Sequence, residues 1–288
     1  MEITEQIPLE LDAYAMESLK AQPTPNDPPW NGWIALLVWL MSVLLVVVVP
    51  SVVVLAYVAP LRNQFSGQEA LIEFVKSDPT AVVLQVVAII PVHLLTILLA
   101  WAVVTRMRTY PFRSTLGWNS GGMRWWHYVL ILVGIFALSA VVMGYYPEAD
   151  NDLLRIVRSS RAAVFVIAAL ATFTAPLVEE VVYRGILYSA FQRAFGVVIA
   201  VGVVTALFAL VHFPQYWPSY STLFLLTLLS LILTMVRVRT GNLLPCIILH
   251  TVFNGLQSVA LIAEPYFSTP AIDPSHVTTA AFLFSFIK

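Results

Sequence analysis

Five ionisable side chains and an asparagine, together the makings of acid–base machinery, lie in or at the edge of stretches that otherwise read as membrane. They fall in three fragments: Glu179-Glu180-Val-Val-Tyr-Arg184, Phe208-Ala-Leu-Val-His212 and His250-Thr-Val-Phe-Asn254. A charged group at bilayer depth costs about 3 kcal/mol or more unless it is paired or hydrated, so such residues mark a functional site by default. Glu180 and Arg184 are four apart, as are His250 and Asn254, so each pair shares one face of a helix. Glu179 is turned about 100° from Glu180 and faces a different neighbour. The two carboxylates therefore need not do the same work. An arginine can hold one ionised while the other, in a drier setting, acts as a general base. Pro176 lies just ahead of them. It removes a backbone hydrogen bond, frees a carbonyl and favours a kink.

Each element has a plainer reading on its own. A Glu–Arg pair can be structural, a single histidine can be a hydrogen-bonded core residue, and an asparagine can join two membrane helices. Their concentration in three nearby segments makes acid–base machinery the better reading. His93, His127 and His276 have no such companions and read as structural, interfacial and loop residues; Phe208 reads as packing beside the site.

The elements that must position these groups are helices in a membrane. Hydrophobic residues make up 59% of the chain and charged residues 11%, with a mean hydropathy of +0.85, against about 25% charged in a typical soluble domain. The fold class expected is all-α, a polytopic transmembrane bundle of seven to eight spans, with the site among spans four, five and seven. The spans run over about 33–59, 81–104, 125–143, 162–180, 197–212, 222–235 and 243–262; a last apolar piece at 277–287 is short for a crossing. Four regions follow: an acidic disordered tail (1–30), N-terminal spans (31–160), a catalytic core (161–265) and a C-terminal apolar segment (266–288).

Position adds a geometric expectation. Glu180 and His212 lie sixteen residues on either side of Gly196. A helical hairpin turning at Phe195-Gly196 brings them to one depth. His250 and Asn254 follow a turn near Thr240-Gly241 and fall nearer the cytoplasmic end by simple counting. That mismatch shrinks if the stretch Tyr188 to Phe195 projects beyond the bilayer.

Arg106, Arg108, Arg113, Arg124, Arg193, Arg237 and Arg239 lie in loops on one side of this scheme, which places that side and the N-terminus in the cytoplasm of a bacterial-type cell membrane. The net charge of −1 argues against nucleic acid. The single cysteine, Cys246, excludes a disulfide framework and a Cys-based zinc site. Nothing in the sequence fixes an oligomeric state. Zinc could take Glu179, His212 and His250 with one position open to water. The H-E-x-x-H helix of many zinc hydrolases is missing, and the same residues fit a metal-free scheme in which Glu and His polarise water while His and Asn donate to an oxyanion.

At these fragments the chain resembles the CPBP family of intramembrane proteases, which includes CAAX prenyl endopeptidases, Abi proteins and bacteriocin-processing or immunity proteins. The family motifs E-E-x-x-x-R, F-x-x-x-H and H-x-x-x-N match Glu179, Glu180 and Arg184, then Phe208 and His212, then His250 and Asn254. The resemblance covers roughly 162–263. It implies peptide-bond hydrolysis in or at the edge of the membrane, on membrane-associated substrates that include lipidated CAAX-type proteins. It implies that Glu179 and His212 activate water, that His250 and Asn254 stabilise the oxyanion, and that Glu180 and Arg184 hold the site in shape. Both metal-dependent and metal-free mechanisms have been argued for the family. The alternatives are a non-enzymatic immunity or scaffold protein of the same fold, and a proton-coupled transporter; a transporter is expected to show internal repeats, and none is found between the halves.

Overall fold

The computed structural model describes residues 22–267. Seven helices in it are long and apolar enough to cross a membrane: α1 (Gly32–Gln64), α2 (Pro79–Val104), α3 (Trp125–Tyr145), α4 (Arg161–Phe195), α5 (Val197–Tyr216), α6 (Tyr220–Thr240) and α7 (Leu244–Ala263). About 82% of the described residues are helical, and among them there is no strand. The expected all-α polytopic bundle is what forms. The short apolar piece at 277–287, like residues 1–21 of the tail, lies outside the described residues.

Local sequence sets where these helices begin. The side chains of Asn31, Asp78 and Ser160 accept the backbone N–H three residues on at the starts of α1, α2 and α4, as N-caps do. Pro79 follows its cap at the first helical position, where a missing N–H costs nothing. The hairpin turn between α4 and α5 is at Gly196, whose φ of +83° suits a residue without a Cβ.

Burial separates the core from the lipid-facing shell. Along α1, α2 and α3 large apolar side chains such as Leu37, Leu44, Leu94, Leu98, Leu130 and Val133 point outward and are exposed. In lipid such faces carry no penalty. Helices α4, α6 and α7 are the most buried, and they carry most of the polar residues. Helix α4 packs against α1, α2, α5 and α7, whereas α3 lies at the margin against α6 and α7.

Helix α4 is not uniformly α-helical. It contains two π-helical turns, Leu170–Thr174 and Val181–Leu187, with the α-helical Ala175–Glu180 between them. Such π segments occur often at functional sites. The first adjoins Pro176. The Ala175 N–H reaches back to the Leu170 carbonyl, so in that register Pro176, which has no N–H, leaves the Ala171 carbonyl without a backbone donor.

The tail reading needs correcting over its last nine residues. Pro25–Trp30 is strapped to one end of the bundle. Arg237 donates to Asn26 Oδ1 and to the Pro25 carbonyl, Ser189 to the Pro25 carbonyl, and Gln192 to the Asn26 carbonyl. Arg193 donates to the carbonyls of Pro28 and Trp30 and pairs with Asp27. The Trp30 indole is buried and donates to the Ile186 carbonyl within the second π turn. Local composition resembles a linker, but three prolines and a tryptophan give the segment little chain entropy to lose and one large apolar anchor.

Candidate active site

The centre of the site is a buried ion pair. Arg184 Nη1 donates to Glu180 Oε1 at 2.8 Å, and both side chains are fully buried. The rest of the guanidinium is met by α6: Nη2 donates to the Ser230 carbonyl and to Ser230 Oγ, both at 2.8 Å, and Nε to Thr234 Oγ1 at 3.3 Å. The Phe208 ring lies 4.9 Å from the guanidinium carbon, a cation–π contact. A buried charge is tolerated when paired and hydrogen-bonded, and this one is held by partners on three helices.

His250 on α7 stands between the two glutamates. Its Nδ1 donates to Glu180 Oε1 at 2.8 Å, and its Nε2 is 3.9 Å from Glu179 Oε2. This corrects two expectations. Glu179 and Glu180 diverge along the helix, yet one imidazole inserted between them meets both. His250 also lies level with the carboxylates rather than nearer the helix end. The reason is visible at Gly185, where an added Cβ would come within 3.3 Å of Leu243 at the start of α7. The α6–α7 turn thus sits at the height of Gly185, and Tyr188–Phe195 continues α4 beyond it.

The hairpin register holds. Phe208 and Arg184, each twelve residues from Gly196, are in contact, and Phe208 also meets Tyr183 edge-on at 5.0 Å. One turn further from Gly196 on each arm stand His212 and Glu180. On α5, the rings of Phe208, His212 and Tyr216 form a ladder at four-residue spacing, with centroid separations of 4.5 and 6.5 Å. His212 Nδ1 donates to the Phe208 carbonyl at 2.7 Å. A carbonyl only accepts, so this bond puts the proton on Nδ1 and leaves Nε2 of the neutral ring as a base.

Asn254 has work that the spacing alone does not reveal. Its Nδ2 donates to the Ala171 carbonyl at 2.9 Å, the group that Pro176 leaves without a donor. Beside it, Ser258 donates to the Ala168 carbonyl and accepts from Thr172. His93, expected to be structural, donates from Nδ1 to Thr174 Oγ1, which donates in turn to the Leu170 carbonyl. Helices α2 and α7 therefore both brace the first π turn. Sequence reasoning missed Ser230 and Thr234, although two small hydroxyls four apart in an apolar span were a readable signal. It also missed Tyr216, which follows His212 at the same spacing.

Among the described residues no three of His, Cys, Asp and Glu are grouped so that they could hold an ion. Of the three candidate ligands, Glu179 and His250 approach each other, with 3.9 Å between Glu179 Oε2 and His250 Nε2. No step below runs through zinc.

Glu179 differs from its neighbour in one decisive way: its side chain keeps 18% of its surface exposed, while that of Glu180 keeps none. One carboxylate is locked in the scaffold, and the other can meet a water. Residues 161–256 match the family model for type II CAAX prenyl endopeptidase Rce1-like proteins. The match spans α4 to α7, about a third of the chain, and contains all six site residues. It bears out the resemblance carried by the three motifs, and it suggests an intramembrane protease. Among curated proteins and solved structures, nothing matches the chain.

Proposed function

We propose that the protein is an intramembrane endopeptidase, N-terminus in the cytoplasm, that hydrolyses a peptide bond in membrane-associated substrates of the lipidated Cys-a-a-X class. The contrast between the two carboxylates carries this reading. Glu180, closed in by Arg184 and His250, orients the site. Glu179 reaches water and is its general base, with Nε2 of His212, the nitrogen that carries no proton when Nδ1 donates, as the companion acceptor. Water attacks the scissile carbonyl as its proton passes to this pair, giving a tetrahedral intermediate with its charge on oxygen. His250, fixed through Nδ1, presents Nε2 toward the reaction centre; with both ring nitrogens protonated it donates to that oxygen. The C–N bond then breaks, and the proton held by the base goes to the leaving amine.

The family match supports this reading, as does the apolar setting, in which a lipidated substrate is already at home. The test uses the full-length protein in liposomes with a farnesylated fluorogenic peptide ending in Cys-a-a-X. Glu179→Gln and His212→Ala are expected to lower kcat at least 100-fold while the protein still inserts and unfolds like the parent. Full activity in both variants rules the reading out and leaves a scaffold or immunity role.

A further inference from the structure

Stabilising an oxyanion takes preorganised donors, and the protein's own bonds restrict which are available. Asn254 has one N–H committed to the Ala171 carbonyl, and Arg184 is occupied by Glu180, Ser230 and Thr234. Among the donors of the family motifs, His250 and the second N–H of Asn254 remain. One more donor lies outside those motifs. Tyr216 is completely buried, and among the described residues its hydroxyl has no hydrogen-bond partner. A buried hydroxyl without a partner is destabilising, so a tyrosine here, where phenylalanine would pack equally well, calls for a reason.

Its location supplies one. The Tyr216 ring lies nearly parallel to that of His212, 14° between planes and 6.5 Å between centroids, one helical turn along the same face. Two carboxylates act on its hydroxyl, Glu148 first and Glu179 after it. Glu148 accepts from Asn151 and from Thr222 in the first turn of α6, across the short turn from Tyr216. The ring itself is beside His212, one member of the proposed water-activating pair.

Resting on the protease reading above, we propose that Tyr216 is a further catalytic residue, its hydroxyl donating a hydrogen bond to the oxyanion of the tetrahedral intermediate. The O–H bond stays intact throughout. The hydroxyl accepts no proton and gives none up, and the charge it faces disappears when the intermediate collapses.

Tyr216→Phe tests this cleanly, because no protein group loses a partner. With the farnesylated fluorogenic peptide in liposomes, kcat is expected to fall about 100-fold, the loss typical of one oxyanion donor. KM should stay within about twofold, the pH profile should keep its shape, and unfolding in detergent should be unchanged. Unchanged kcat, or a raised KM with kcat intact, overturns the proposal. A displaced pH profile overturns it too, since the hydroxyl would then act on Glu179. Failure of the Phe variant to fold makes the hydroxyl structural and equally refutes the catalytic role. Glu179→Gln run in parallel separates the two claims: activity lost there but kept in Tyr216→Phe refutes only the role of Tyr216, and activity kept in Glu179→Gln refutes the protease reading itself.

Discussion

Arg184→Met isolates the electrostatics on which the site is built. Methionine keeps the apolar stem beside Phe208 and removes the guanidinium. The loss then falls unevenly on the former partners. The Ser230 carbonyl stays satisfied, because Thr234 Oγ1 also donates to it at 2.8 Å. Glu180 keeps only its bond from His250, inside a fully buried site. Removing one member of a buried pair costs about 3–5 kcal/mol through the uncompensated charge left behind. Glu180→Gln alone should cost a comparable amount, now through the stranded arginine. Glutamine still offers an oxygen to His250 Nδ1, so in the double variant neither charge remains and the total should fall well below the sum of the single costs, with a coupling of about 2–3 kcal/mol. Reversible unfolding by SDS in mixed micelles, followed by tryptophan fluorescence, measures all three variants. A cost under about 1 kcal/mol for Arg184→Met, or additive costs in the double variant, would falsify the claim that this pair is buried and charged.

Asn254→Ala should cost about 1–3 kcal/mol by leaving the Ala171 carbonyl without a donor. In a Pro176→Ala background, which returns a backbone N–H, the cost should drop below about 1 kcal/mol; an equal cost in both backgrounds sinks the explanation. Arg237→Ala, which releases Pro25 and Asn26, should speed chymotryptic cleavage at Trp30 several-fold, and an unchanged rate means that the strap is held without it. Prolonged chelation should leave peptide cleavage in liposomes intact, because the donors are not arranged for an ion; a loss reversed by added zinc refutes this.

The sequence makes the hairpin and the helical pairings readable because both follow from fixed periods. Residues equidistant from a glycine turn must face each other, and residues four apart must share a face. Glu180 with Arg184 and Phe208 opposite Arg184 are of this kind. The level of His250 is not, since it depends on how far α4 extends past its neighbours, and that is decided by the contact of Gly185 with Leu243. The strap at Pro25–Trp30 escapes notice for a related reason. Its affinity lies largely in backbone carbonyls, which every residue has, and the donors on Arg106, Ser189, Gln192, Arg193 and Arg237 reveal where it binds.

The two π turns in α4 tie the fold to the chemistry. A regular α-helix would satisfy its own carbonyls and leave nothing for α7 to hold. Pro176 within a widened turn exposes the Ala171 carbonyl, and Asn254 closes it, which anchors α7 one helical turn beyond His250. His250 is thereby fixed against Glu180 from its own helix as well as through its Nδ1 bond. Adjacent glutamates on the short α-helical stretch between the turns then differ in surroundings though not in type: one meets an arginine and no solvent, the other a histidine edge and some surface. That asymmetry, not either carboxylate alone, is what the proposed division into a scaffold residue and a general base rests on.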